Sequence, residues 1–242
     1  MKSAIVKSEP SVAIELPPLE FADGATLAER AYETIRRDVL WGVLKPGSHL
    51  TGETLKSRYD IGPTPIREAL IRLTECGLLE LEERRGFRVP GLSYNDIHDI
   101  IAMRQMLEPE AIRRAVLTAS DEWEGHVLGA YHRMFRVEQA AEKSGVLEWE
   151  LWEQRHTEFH TILIEGAGSV RTAQYHRHLY DQGNRYRRVL QPLVTQIEEA
   201  KNDHKRIVDL VMTRDADKAA EVVAEHIGRL ATFVQGRLDP DI

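Results

Sequence analysis

Apolar and polar positions alternate along this chain with two different periods. Leu27, Ala31, Ile35 and Val39 recur at helical spacing. Thr26 and Glu29 precede them with the spacing of a capping box, in which a hydroxyl and a carboxylate satisfy the first free amides of a helix. A first helix is therefore predicted, stopping near Gly42 because Lys45-Pro46-Gly47 reads as a turn. A short second helix is predicted over 52–59, and a third from the 62–65 region to about Cys76. Pro63 and Pro65 fit the first turn of that third helix, where amides lack intrahelical acceptors; its N-cap is either Gly62 or Thr64. Ile66, Ala69, Leu70 and Leu73 fall on one face of it, with Thr64, Arg67 and Ile71 on the other. The period then shortens to two. Leu79-Glu80-Leu81-Glu82 and Phe87-Arg88-Val89 flank the connection 83–86, a hairpin with Gly86 free to take a positive φ.

Past Pro90-Gly91 every segment is helical in period: 94–117, 121–143, 147–166, 169–191, 196–213 and 215–236. Breaks fall at Ser120, Gly145, Gly166-Ala167-Gly168, Pro192 and Arg214-Asp215. The expected fold class is mainly α. A flexible tail (1–24) leads into a winged helix-turn-helix (25–91), followed by an all-α bundle (92–242) of six to seven helices.

Composition changes this picture little. Apolar residues make up 42% of the 242, enough for packed cores, and no run approaches the ~20 apolar residues of a membrane span. The first residues lack the apolar stretch of a secretory leader, and the single cysteine, Cys76, cannot form an intramolecular disulfide; a cytoplasmic protein with no membrane partner is expected. Charge matters more. The net charge is −7, yet residues 25–91 hold 11 Lys/Arg against 10 Asp/Glu. The negative excess lies elsewhere, so charge does not oppose a polyanionic partner for 25–91, nor does it supply a basic patch.

Two groups of residues carry candidate chemistry. The third helix can offer Thr64 and Arg67 to a major groove, where the Arg fork matches guanine O6 and N7. Arg84, Arg85 and Gly86 form a hairpin tip able to approach phosphates. Arg67 as a solvated, acid-paired residue is the alternative. In the second half, His156 and His160 share a helical face, and His204 and His226 sit on two later helices. Separate helices of a bundle can aim side chains at one interior point, and imidazoles suit zinc, nickel, copper or iron. The alternative is chance, since the chain has ten histidines; His49, His98, His126, His132, His176 and His178 have no such context and read as surface or core residues.

The order Leu44-Lys45-Pro46-Gly47, Leu50, Leu55, Tyr59, Ile61 through Leu70, Leu73, Gly77-Leu78 and Arg85-Gly86-Phe87-Arg88-Val89 closely resembles the GntR family of bacterial transcription regulators, over about 65 residues. Gly62-Pro63 stands where that family usually has Ser-Arg. The departure shifts base reading onto Thr64, Arg67 and the wing. The helical part resembles the FCD ligand-binding domain of the FadR subfamily, through Arg104-x-x-Leu107-Glu108, Phe159-His160, Ala167-Gly168-Ser169, Asp203-His204 and His226. The resemblance implies a divalent metal held by an aspartate and three histidines, matched by His160, His204 and His226. His156 occupies the aspartate's place. Either it is a fourth nitrogen ligand, favouring zinc or nickel over magnesium, or it does not ligate. The resemblance further implies a small carboxylate effector, with Arg104 and, less clearly, Arg185 or Arg188 pairing with it. It also implies a homodimer on double-stranded operator DNA and repression relieved by effector. Arg185 and Arg188 read equally as a solvated helical face.

A metal-dependent hydrolase or lyase is the rival class. The run His156-Thr157-Glu158-Phe159-His160 lacks the glutamate directly after the first histidine that zinc hydrolases use as general base. No nucleophile elbow or phosphate-binding glycine loop is present, so an enzyme is not expected.

Overall fold

The computed structural model describes residues 16, 19–83, 85–190, 194–235, 237 and 238, with the backbone alone for 194–198. Most of the expected tail and Arg84 lie outside the described residues. The chain divides into two compact units. One takes the described residues up to Ile100 together with 181–190 and those from Val234 onward; the other takes 101–180 and 194–233.

In the first unit, α1 (Leu27–Leu40) opens with the anticipated capping box: Glu29 N donates to Thr26 Oγ1, and Thr26 N to Glu29 Oε2. Ala31, Ile35 and Val39 are fully buried, while Leu27, the first residue of the predicted stripe, is 56% exposed. Asp38 is buried at the other end and accepts from Tyr59 Oη at 2.8 Å, tying α1 to α2 (Gly52–Tyr59). Helix α3 (Pro63–Glu75) starts from Gly62, which resolves the N-cap ambiguity; no side chain caps it. Ile66, Ala69, Leu70 and Leu73 form its buried face, as the period required.

The hairpin is β2 (Glu80–Glu82) and β3 (Gly86–Arg88), with Gly86 at φ 85°. A two-residue strand, β1 (His49–Leu50), was not anticipated, because two residues carry no period. It pairs antiparallel with β3, His49 opposite Arg88 and Leu50 opposite Phe87, giving the order β1-β3-β2.

The second half of the chain is helical where the period predicted: α4 (Tyr94–Thr118), α5 (Asp121–Ser144), α6 (Trp149–Glu165), α7 (Val170–Leu190), α8 (Val194–Met212) and α9 (Ala216–Val234). Ser120 caps α5 through Trp123 N, and Gly145 ends it in the left-handed region at φ 73°. In the second unit Trp123 Nε1 donates to Ile162 O at 2.8 Å, fixing α5 on α6. A Cβ at Gly166 would come within 2.4 Å of Trp123 and 2.9 Å of Ala115, so only glycine permits this approach.

The second half of α7, from Asp181 on, belongs to the first unit. Arg36 grips the Asp181 carboxylate with Nε (2.8 Å) and Nη2 (2.5 Å). Gln182 Nε2 donates to Cys76 O at 2.8 Å, and Tyr186 Oη to Asp96 Oδ2 at 2.6 Å. Loss of one partner from such a buried contact would be costly, because the remaining group would stay desolvated and unsatisfied.

Candidate functional site

In the second unit, α6 delivers His156 and His160 from one face, α8 delivers His204 and α9 His226. One ring nitrogen from each lies within 4.8 Å of the others, and the first three rings are buried. Nε2 of His156 is 3.1 Å from Nε2 of His204 and 3.2 Å from that of His160; His160 and His204 stand 3.4 Å apart. Nitrogens sharing one tetrahedral ion at 2.0–2.1 Å are about 3.3 Å apart, so this donor set fits a divalent metal ion. Burial, then His226 and His204, push the His160 pKa well below its usual value. A neutral imidazole is the form that donates a lone pair.

Neighbours orient these rings. Tyr180 Oη lies 2.8 Å from His156 Nδ1, and Trp152 stacks on the same ring at 4.7 Å. Asp203 Oδ2 is 3.4 Å from His226 Nδ1 and accepts from Arg229 Nε at 2.5 Å. Burial raises the Asp203 carboxyl, but His226 and Arg229 outweigh it and hold it at about 2. An ionised carboxylate behind an imidazole fixes its tautomer and its direction.

A second polar set lies in the same unit. Arg104 and Glu108 are successive inward positions of α4, 4% and 1% exposed. Arg104 Nε donates to Glu108 Oε1 (2.5 Å) and Nη2 to Oε2 (3.2 Å). Its Cζ lies 4.8 Å over the Tyr180 ring. His176, buried one turn before Tyr180 on α7, places Nδ1 3.2 Å from Glu108 Oε1. Burial would raise the Glu108 carboxyl; Arg104 and then His176 outweigh it and hold it at about 2. Tyr180 thus touches both sets. Sequence reasoning missed it and read His176 as a surface or core residue without context. The signal was present in the spacing: His176 and Tyr180 stand four apart on α7, as Arg104 and Glu108 do on α4.

Arg185 and Arg188 are placed in the first unit. Arg185 donates to Pro90 O (2.6 Å) and Gly91 O (3.3 Å), and Arg188 stacks on Trp41 at 4.9 Å. Both are buried rather than solvated.

In the first unit, Thr64 and Arg67 are exposed on the outer face of α3, with Ile71 43% exposed in line with them. Arg85 is exposed at the hairpin tip beside Gly86. Arg88 is engaged with Glu82 at 3.2 Å. The Glu158 of the hydrolase-like run accepts from Arg133 (2.6 Å) and Arg155 (3.1 Å). It is committed to these arginines and supplies no base to the histidines.

Two family models match: "Bacterial regulatory proteins, gntR family" over residues 27–89 and the FCD domain over 99–229. The chain is 34% identical over 210 residues to an uncharacterized HTH-type transcriptional regulator, BphR, of Paraburkholderia xenovorans, covering 87% of this chain and 86% of that one. It is 32% identical over 201 residues to the HTH-type transcriptional repressor GlaR of Escherichia coli, covering 81% and 90%. The solved structure of E. coli McbR/YncC shares its fold, with a TM-score of 0.72 at 19% identity over 87% of this chain and 98% of that one. These relatives are transcription regulators, not enzymes. Among the described residues no helix is long and apolar enough to cross a membrane. With a winged helix-turn-helix followed by an FCD domain, the chain belongs to the GntR family of bacterial transcription regulators.

Proposed function

We propose that this protein is a repressor of the FadR subfamily whose operator affinity is set by a small carboxylate bound at a metal site among His156, His160, His204 and His226. The convergence of four histidine side chains from three helices carries this reading. An all-nitrogen donor set favours zinc or nickel over an oxygen-seeking ion such as magnesium. A divalent ion held there supplies a positive anchor for a carboxylate oxygen. Arg104 supplies the second anchor: Glu108 occupies its Nε and one Nη2 hydrogen, which leaves donors of the guanidinium for an acid. Arg185 and Arg188 have a different task. They hold the 90–91 connection and Trp41 within the first unit.

On the DNA side, Thr64 and Arg67 read bases from the N-terminal turns of α3, while Arg84, Arg85 and Gly86 lie along the backbone at the wing. A homodimer formed through the helical domains matches a pseudo-palindromic operator, because a two-fold protein fits a two-fold site. Residues 25–91 and 92–242 are the working domains of output and input. The effector shifts DNA affinity only as far as it binds the two states of the protein differently.

The test is elemental analysis of the purified protein together with operator gel shifts over a panel of mono- and dicarboxylates. About one zinc or nickel per chain is expected, lost in His204→Ala without loss of folding, with at least one acid weakening the shift. A wild-type protein that binds neither metal nor any acid would sink the proposal.

A further inference from the structure

We infer that Asp181 and Gln182 of α7 are positioning residues for DNA recognition. They set the tilt of α3, so the DNA-reading module is complete only with residues 181–190. The inference rests on the reading that α3 presents base-contacting side chains, and deepens it.

The gntR-family match ends at residue 89, so this segment lies outside it. Its contacts nevertheless run to that module, all within the first unit. Arg36 projects from α1, and its Nε and Nη2 both bond the Asp181 carboxylate, which is 5% exposed. Such a two-point grip fixes direction as well as distance. Helix α1 packs on α3, where the Arg72 guanidinium lies 4.2 Å over the Tyr32 ring. The placement of α1 is thus passed to α3.

Gln182 acts on α3 directly. Its Nε2 donates to Cys76 O, the carbonyl of the α3 C-cap. The last carbonyls of a helix have no intrahelical donor, so an outside donor fixes that end. The approach needs glycine next in the chain: Gly77 stands at φ 74°, and a Cβ there would come within 2.5 Å of Gln182 Nε2. Three residues further along α7, Arg185 donates to Pro90 O and Gly91 O, just past β3. One helical segment therefore holds α1, the end of α3 and the exit of the wing.

The anchored end of α3 is far from the end that carries Thr64 and Arg67. From Cys76 to Thr64 the helix runs about 18 Å, so a tilt of about 5° at Cys76 moves Thr64 by about 1.6 Å. A binding constellation tolerates a misplacement of only about 0.5 Å. Attraction of Lys and Arg to phosphates carries no such constraint. Loosening the anchor therefore removes sequence readout and spares non-specific binding.

The experiment is fluorescence anisotropy of the full chain on two duplexes: one that the wild-type protein selects from a random-sequence pool, and a scrambled duplex of the same length and composition. Gln182→Met keeps the length of the side chain and removes the donor. Asp181→Asn keeps the shape and removes the charge. Each should bind the selected duplex about 10-fold more weakly, within the worth of one bidentate base contact. Each should bind the scrambled duplex within about twofold of wild type. Arg36→Asp combined with Asp181→Arg reverses the ion pair and should recover the specific affinity that either change alone loses. Unchanged affinity for the selected duplex in Gln182→Met and Asp181→Asn overturns the inference. So does an equal loss on both duplexes with a lower melting temperature, which marks a merely structural role. If Arg67→Ala binds the selected duplex as wild type does, the reading of α3 itself fails, and the inference with it. Should Asp181→Asn not fold, Gln182→Met, which removes one bond and no charge, still decides the matter.

Discussion

The two regions that carry this protein's chemistry are built on opposite principles. In the helical domain most polar groups of the candidate site are buried and several are held by another: His156 by Tyr180, the half-buried His226 by Asp203, Arg104 by Glu108. On the reading head the polar groups that matter are exposed: Thr64, Arg67 and Arg85 sit on an open helix face and hairpin tip. The contrast follows from the partners. A small molecule such as the acid proposed above would have to be desolvated and gripped, so a site for it needs fixed donors in place before it arrives. DNA is a large polyanion that supplies its own acceptors, so side chains can wait in water. Mutations in the first region should therefore damage stability along with function, and mutations in the second should damage function alone.

The largest effect is expected at Glu108. Glu108→Gln leaves the Arg104 guanidinium buried beside a neutral group. Breaking a buried pair in this way costs about 3–5 kcal/mol. Urea denaturation of the full chain measures it; a loss below 1 kcal/mol would mean that the pair is not desolvated as described. The pH dependence has a definite sign. The Glu108 carboxyl is held at about 2, below its ordinary 4.5. Its contribution to stability is therefore fully present above pH 4.5 and is lost as pH falls towards 2. Glu108→Gln should remove that part of the acid sensitivity.

Arg67→Ala is the counter-test on the open side. If the fork contacts a base bidentately, specific operator binding weakens by about 1–3 kcal/mol. The melting temperature should not move, because the side chain is exposed. Operator affinity equal to wild type would remove Arg67 from the reading surface. A drop in melting temperature would break the contrast between the two regions.

Much of this was legible in the sequence, and the illegible part has a physical pattern. Helical period located α1 to α9, since each of these helices buries one stripe and period is what burial imprints. The capping box at Thr26 and Glu29 was readable because it is local. The two-residue β1 was not, because its pairing with β3 is set by partners far along the chain, Arg88 for His49 and Phe87 for Leu50. The histidines of α6 were visible as an i,i+4 pair. That Tyr180 and His176 join them was not, because convergence between helices depends on packing angles that no single helix records. The reading of Arg185 and Arg188 as either effector anchors or solvated residues failed to foresee a third option, burial against backbone carbonyls and Trp41.

The smallest effect tests the reading head at the start of α3. Gly62 is its N-cap, with φ −60° and ψ 160° and no side-chain cap. Any residue adopts those angles, and a Cβ there would lie 3.9 Å from Pro65 Cδ, ordinary contact. Serine at this position offers a hydroxyl to the free amides of the first turn, where glycine offers nothing. Gly62→Ser should stabilise the protein by a few tenths of a kcal/mol, seen as a higher denaturation midpoint with an unchanged slope. Gly62→Asp should gain about as much, since a carboxylate also favours a helix N-terminus. The two variants must part on DNA. Serine is neutral and leaves affinity near wild type, whereas aspartate sets a negative charge beside the phosphates and weakens every operator alike, most strongly at low salt. Equal affinity for both variants would place the N-terminus of α3 away from the DNA backbone. The open face would then be Arg67 and the wing alone.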